Sequence, residues 1–96
     1  MAKLKVKIID KNKLTGAHNT IRVSLRRVDG SDNRETTVVL KHLPNGHIGK
    51  TTVKGLGVGQ WTVLLTSPGW SWTPREPTVR VKNDRIKMIV FTIKNT

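Results

Sequence analysis

His42 and His47 flank the turn residues Pro44-Asn45-Gly46, so a strand-turn-strand arrangement would let their two imidazoles approach each other. Two imidazoles with no carboxylate nearby make a weak zinc site, because zinc takes three or four protein ligands. The expectation for these residues and for His18 is therefore solvated loop histidines, with no metal and no cofactor. The stretch Gly46–Thr52, "GHIGKTT", superficially offers a phosphate loop. That motif needs Gly, four residues, then Gly-Lys-Ser/Thr between a strand and a helix. Counting back from Gly49-Lys50-Thr51 places Pro44 where the first glycine is required. A turn between strands is the simpler reading, with Gly46 and Gly49 supplying positive φ.

The carboxylates Asp10, Asp29, Asp32, Glu35, Glu76 and Asp84 fall mainly at turn signals and form no acid-base dyad. Turn aspartates usually cap their own backbone. Ser24, Ser31, Ser67 and Ser71 have no base beside them in the sequence, so no catalytic residue is expected and the chain does not read as an enzyme. The remaining candidates are basic and aromatic. "GWSWTPREP", residues 69–77, holds two of the chain's three tryptophans. The stretch reads either as an aromatic platform for a ligand or as a loop that closes the end of a core.

Eighteen Lys and Arg oppose six Asp and Glu, a net charge of +12. Such a balance favours polyanionic partners: acidic protein surfaces, nucleic acid or anionic lipid. With no cysteine, neither a disulfide framework nor a thiolate metal site can form. No run reaches the roughly 20 apolar residues that a spanning helix needs, so membrane insertion is not expected. "MAKLKVKIID" interleaves lysines with apolar residues and does not read as a signal peptide. Cytoplasmic synthesis follows as the expectation.

These residues must be held by strands. "LKVKII" (4–9) alternates, with Leu4, Val6 and Ile8 on one face and Lys3, Lys5 and Lys7 on the other. "IRVSLRRV" (21–28) repeats the pattern, Ile21, Val23 and Leu25 against Arg22, Ser24 and Arg26. Period-2 alternation bounded by turn residues marks half-buried strands. Residues 35–43, 50–56, 60–66, 78–82 and 86–93 read the same way, with 10–20 as a loop and "DGSDN" (29–33) as a turn. Seven strands and no helical period predict an all-β fold, a single sandwich domain over residues 1–96. If the first two strands share a sheet, Lys3, Lys5, Lys7, Arg22 and Arg26 form a positive stripe, to which Arg80, Lys82, Lys87 and Lys94 add charge. Outward lysines also guard sheet edges against aggregation, so a solubilising role remains open beside a binding one.

"VKIIDKNKLTGAHNTIRVSLR" and "NGHIGKTTVKGLGVGQWTVLLTSPGW" resemble transthyretin-like (prealbumin-like) β-sandwich modules, which share an Ig-like frame with carboxypeptidase regulatory-like domains and the B-type repeats of collagen-binding adhesins. The resemblance implies that Trp61 points into the core and that Trp70 occupies the aromatic position of a Pro-Gly-aromatic step, at the core or its rim, which leaves Trp72 as the candidate exposed ring. Some adhesin repeats carry a Lys–Asn isopeptide bond, and Asn95 could suggest one. The acidic position that would assist it reads "TVLLT" here, so none is expected.

The leading functional expectation is a non-enzymatic structural module that docks on a larger acidic assembly, a virion decoration protein being one example. Its contacts would be Lys3, Lys5, Lys7, Arg22, Arg26, Trp72 and Arg75. Two alternatives stand beside it: sequence-independent nucleic-acid binding along the Lys/Arg stripe, and carbohydrate binding through the Trp70–Trp72 loop.

Overall fold

Alternation carries through into the computed structural model, which describes residues 2–16, 19–66 and 71–94. Strand β1 (Ala2–Asp10) buries every second residue from Ala2 to Asp10 and turns Lys3, Lys5 and Lys7 outward. Strand β2 (Thr20–Arg27) buries Ile21, Val23 and Leu25. The others are β3 (Asn33–Leu43), β4 (Gly46–Leu56), β5 (Gly59–Leu65), β6 (Ser71–Thr73), β7 (Thr78–Val81) and β8 (Ile86–Lys94). Seven match the expected strands. The additional one, β6, has three residues, too few for alternation to show. The turn at 29–33 closes as anticipated, the Ser31 amide and hydroxyl donating to Asp29 Oδ1 at 2.9 and 2.6 Å.

The strands form one mixed sheet in the order β6-β8-β1-β4-β3-β2-β5-β7. Among the described residues only β1 and β8 pair in parallel; every other neighbour is antiparallel. The sheet curls into a sandwich-like half-barrel, so the inward side chains of all strands meet in one core. Trp61 and Phe91 are its largest fully buried members, and the Trp61 indole donates to the Gly57 carbonyl at 2.9 Å.

Two strand runs pass from one half of the curl to the other. Asn33–Val39 of β3 pairs with β2, whereas Leu40–Leu43 pairs with β4. Likewise β6 pairs with β8, and after residues 74–77 β7 pairs with β5. Each crossing leaves a stretch with no strand bonded on one side among the described residues. On β4 that stretch is Lys50–Leu56, away from β1, and on β8 it is Ile86–Phe91, again away from β1.

Gly49 sits under the first crossing. A Cβ there would lie 2.5 Å from the Val39 carbonyl oxygen and 2.7 Å from Val38 Cγ1. Close approach of two backbones, not positive φ, therefore explains this glycine; Gly46 does have positive φ, at 138°. Gly49→Ala is expected to cost about 1–3 kcal/mol through overpacking against backbone, read as a lower urea midpoint with unchanged slope. An unchanged midpoint would show that β3 yields at its crossing.

Candidate functional site

The outer face of the β8-β1-β4 half, continued by the end of β3, gathers the lysines. Lys3, Lys5 and Lys7 stand on β1, Lys50 and Lys54 on β4, and Lys41 on β3. Register sets Lys3 directly opposite Lys54 and Lys7 directly opposite Lys50. No carboxylate shares the face: Asp10 is buried, Glu35 lies on the part of β3 that pairs with β2, and the others occupy turns and loops. Lys7 is half-buried between two shallow grooves. One, of about 340 Å³, is lined by Lys5, Lys7, Lys50, Thr52 and Met88 among others. The second, of about 450 Å³, runs over Val39, Lys41, Leu43 and Ile48. Exposed aliphatic side chains thus border the lysines on both sides: Ile86, Met88 and Val90 on β8, Val39, Leu43 and Ile48 on β3 and β4.

Arg22 and Arg26 do not belong to this face. β4 and β3 separate β1 from β2, so the stripe expected to run across β1 and β2 is broken. The two arginines project from the other half of the curl, among Thr37, Asn33 and Thr62, with Glu35 paired to the intervening Ser24. The basic neighbours of β1 come instead from β4, three strands later in the chain.

Trp72 corrects the sequence expectation more sharply. Its side chain is only 7% exposed, seated between β6 and the core. The indole donates to the Arg75 carbonyl at 2.8 Å, and the Arg75 guanidinium lies 5.2 Å from the ring centroid. Arg75 therefore covers a core-edge tryptophan by cation–π attraction, and Trp72 is not an exposed platform. Trp61 is fully buried, as expected. Trp70, Ser67, His18 and Asn95 lie outside the described residues.

A buried polar cluster was not foreseen. Asp10 closes β1 with its carboxylate inside the protein. The Leu14 amide donates to Oδ1 (2.9 Å), and the Thr15 amide and hydroxyl donate to Oδ2 (2.8 and 2.6 Å). Thr15 Oγ1 lies 2.9 Å from His47 Nδ1, which is itself 3.6 Å from Asp10 Oδ2. His47 stacks on His42 at 4.0 Å, so the two imidazoles do meet across their turn. Yet His47 is buried and has a carboxylate beside it, contrary to the solvated-loop expectation.

Burial pushes the Asp10 pKa up, but the Thr15 hydroxyl, the two amides and His47 together hold it below the ordinary value. Because the Thr15 hydroxyl commits its single proton to Asp10, it accepts from His47 Nδ1–H. A threonine, histidine and aspartate in contact here form a latch joining β1, the following loop and β4. The imidazole nitrogen facing the hydroxyl is a donor, so it does not serve as a base for it. Among the described residues no three His, Asp or Glu side chains are grouped to hold a metal ion.

The chain matches no family model, no curated protein and no solved structure. The geometry of the lysine face is thus the guide to function. "GHIGKTT" lies wholly within β4, where Gly49 relieves the strand crossing and Lys50 contributes to that face. No helix among the described residues is long and apolar enough to cross a membrane.

Proposed function

We propose that this protein is a non-enzymatic docking module that sets its lysine face against an acidic protein surface of a larger assembly. The carrying observation is the register: Lys3 faces Lys54 and Lys7 faces Lys50 across β1 and β4. Like charges directly opposite one another destabilise a sheet. An anionic partner relieves that repulsion, and the surrounding potential steers it in. The aliphatic borders of the face favour a protein over a phosphate backbone, and among the described residues no aromatic ring on the face offers bases a stacking platform. Carbohydrate docking through the Trp70–Trp72 loop is less favoured because Trp72 is buried. Transthyretin-like kinship is part of the same proposal; Asp10 at the end of β1 and the inward Trp61 support it.

Polyglutamate and a random DNA duplex, each titrated at low and moderate salt, test this reading. Lys5→Glu/Lys7→Glu/Lys50→Glu is expected to weaken polyglutamate binding by about tenfold or more near 50 mM salt, where screening is weak. Arg22→Glu/Arg26→Glu should change it far less. Equal losses from the two variants would mean that overall charge, not this face, does the binding. Duplex binding with a steep salt slope and no preference for the acidic polypeptide would move the protein to the nucleic-acid class.

A further inference from the structure

The two unpaired strand stretches differ in how they are guarded. Unpaired backbone on a sheet edge is a template for another strand, and lysines are a common protection. The open part of β4, Lys50–Leu56, carries Lys50, Thr52 and Lys54 on its outer face. The open part of β8 carries Ile86, Met88 and Val90 there, exposed by 59, 58 and 39%. One edge is defended by charge, and the other displays an alternating apolar row beside free pairing positions.

The open β8 edge also has an acidic-ligand signature at its start. Lys82, Arg85, Ile86 and Lys87 line a hollow of about 290 Å³ with no carboxylate in its lining. Lys87 shares the parity of the buried Ile89 yet is exposed, so its charge stands on the opposite side of β8 from the Ile86-Met88-Val90 row.

We infer that Ile86–Phe91 of β8 is a strand-addition site for an acidic, alternately apolar segment of a partner protein. This rests on the reading of the lysine face as a seat for an acidic protein and names how that partner engages. In β-augmentation the backbone supplies affinity and alternate side chains supply selectivity. The partner's apolar residues continue the Ile86-Met88-Val90 row. Its carboxylates, on the opposite side of the added strand, meet Lys87 and the Lys82–Arg85 pair, while the β1 lysines stand on the side of the apolar row. A second copy of this chain fits less well, because it would bring another +12 charge and the same cation cluster to the edge.

The test titrates the isotope-labelled full chain with a peptide of about ten residues, a full strand's length, alternating Glu and Val. Polyglutamate of equal charge is the control. The expected result is preference for the alternating peptide, with amide shifts and about tenfold or greater exchange protection centred on Ile86–Val90. Met88→Lys/Val90→Lys changes exposed positions and adds positive charge, yet should weaken the alternating peptide by about tenfold or more. N-methylation of alternate peptide amides should abolish its preference over polyglutamate. If polyglutamate binds as well as the alternating peptide, or the double lysine variant binds tighter, strand addition is overturned while the lysine face stands. If neither acidic ligand binds, the lysine-face reading falls as well. Dimerisation of the protein alone through this edge would overturn the inference by naming a second copy as the occupant.

Discussion

Asp10→Ala is expected to lower stability by about 3–5 kcal/mol, the range for breaking a buried, hydrogen-bonded charge network. For a domain of this size that is a fall in Tm of about 15 °C or more. The substitution removes the acceptor for the Leu14 amide, the Thr15 amide and the Thr15 hydroxyl together. It also leaves His47 Nδ1 beside a hydroxyl that no longer has its own acceptor. The effect carries a pH signature. The folded pKa of Asp10 lies below its ordinary value, so folding favours the ionised carboxylate. Its contribution is complete above the unfolded-state pKa of about 3.9 and is lost as pH falls through the folded pKa. The gap between wild type and Asp10→Ala should therefore be widest near neutrality and narrow in acid. Thermal melts from pH 7 to about pH 2 read this directly; a constant gap would show that the carboxylate's charge plays no part in the latch.

Trp61→Ala should cost a similar amount, about 3–5 kcal/mol, by the transfer and cavity terms of a large core truncation. Trp61 is fully buried on β5 and packs in the common core that both halves of the curl share. Trp61→Phe separates two contributions. It keeps most of the apolar volume but leaves the Gly57 carbonyl without its indole donor. Its loss should be well under that of the alanine variant, nearer the ~1 kcal/mol net contribution of a typical hydrogen bond, because the Gly57 carbonyl is only part-buried. Chemical denaturation of both variants decides it. Equal losses would place the weight on the hydrogen bond instead of on packing.

How far the sequence reveals these features depends on the range over which each is determined. Strand identity is local: Leu4-Val6-Ile8 and Ile21-Val23-Leu25 declare their inward faces within a few residues. Neighbour relations are not local. β1 and β2 follow one another in the chain, so their basic residues invite grouping, but β4 and β3 stand between them. The lysines that do complete the face, Lys50 and Lys54, lie in a segment whose most conspicuous feature is a false phosphate loop. His47 looks like a loop histidine because its carboxylate partner is at the far end of β1. Trp72 looks exposed because the three-residue strand that carries it is too short to display a period. In each case tertiary pairing, invisible to short-range pattern, supplies the missing partner.

The parallel pairing of β1 with β8 has a consequence for how the chain is made. On a ribosome, the first strand emerges with both flanks bare. One flank waits for β4, and the other stays uncovered until β8 has left the exit tunnel. Leu4, Val6 and Ile8 are therefore at risk of wrong partners until β8 emerges, and the sheet closes late, through contacts far apart in the sequence. Topologies of this kind fold in roughly milliseconds to seconds. The lysines between those apolar residues would keep the nascent segment soluble while it waits, a second use for the charge that later forms the docking face.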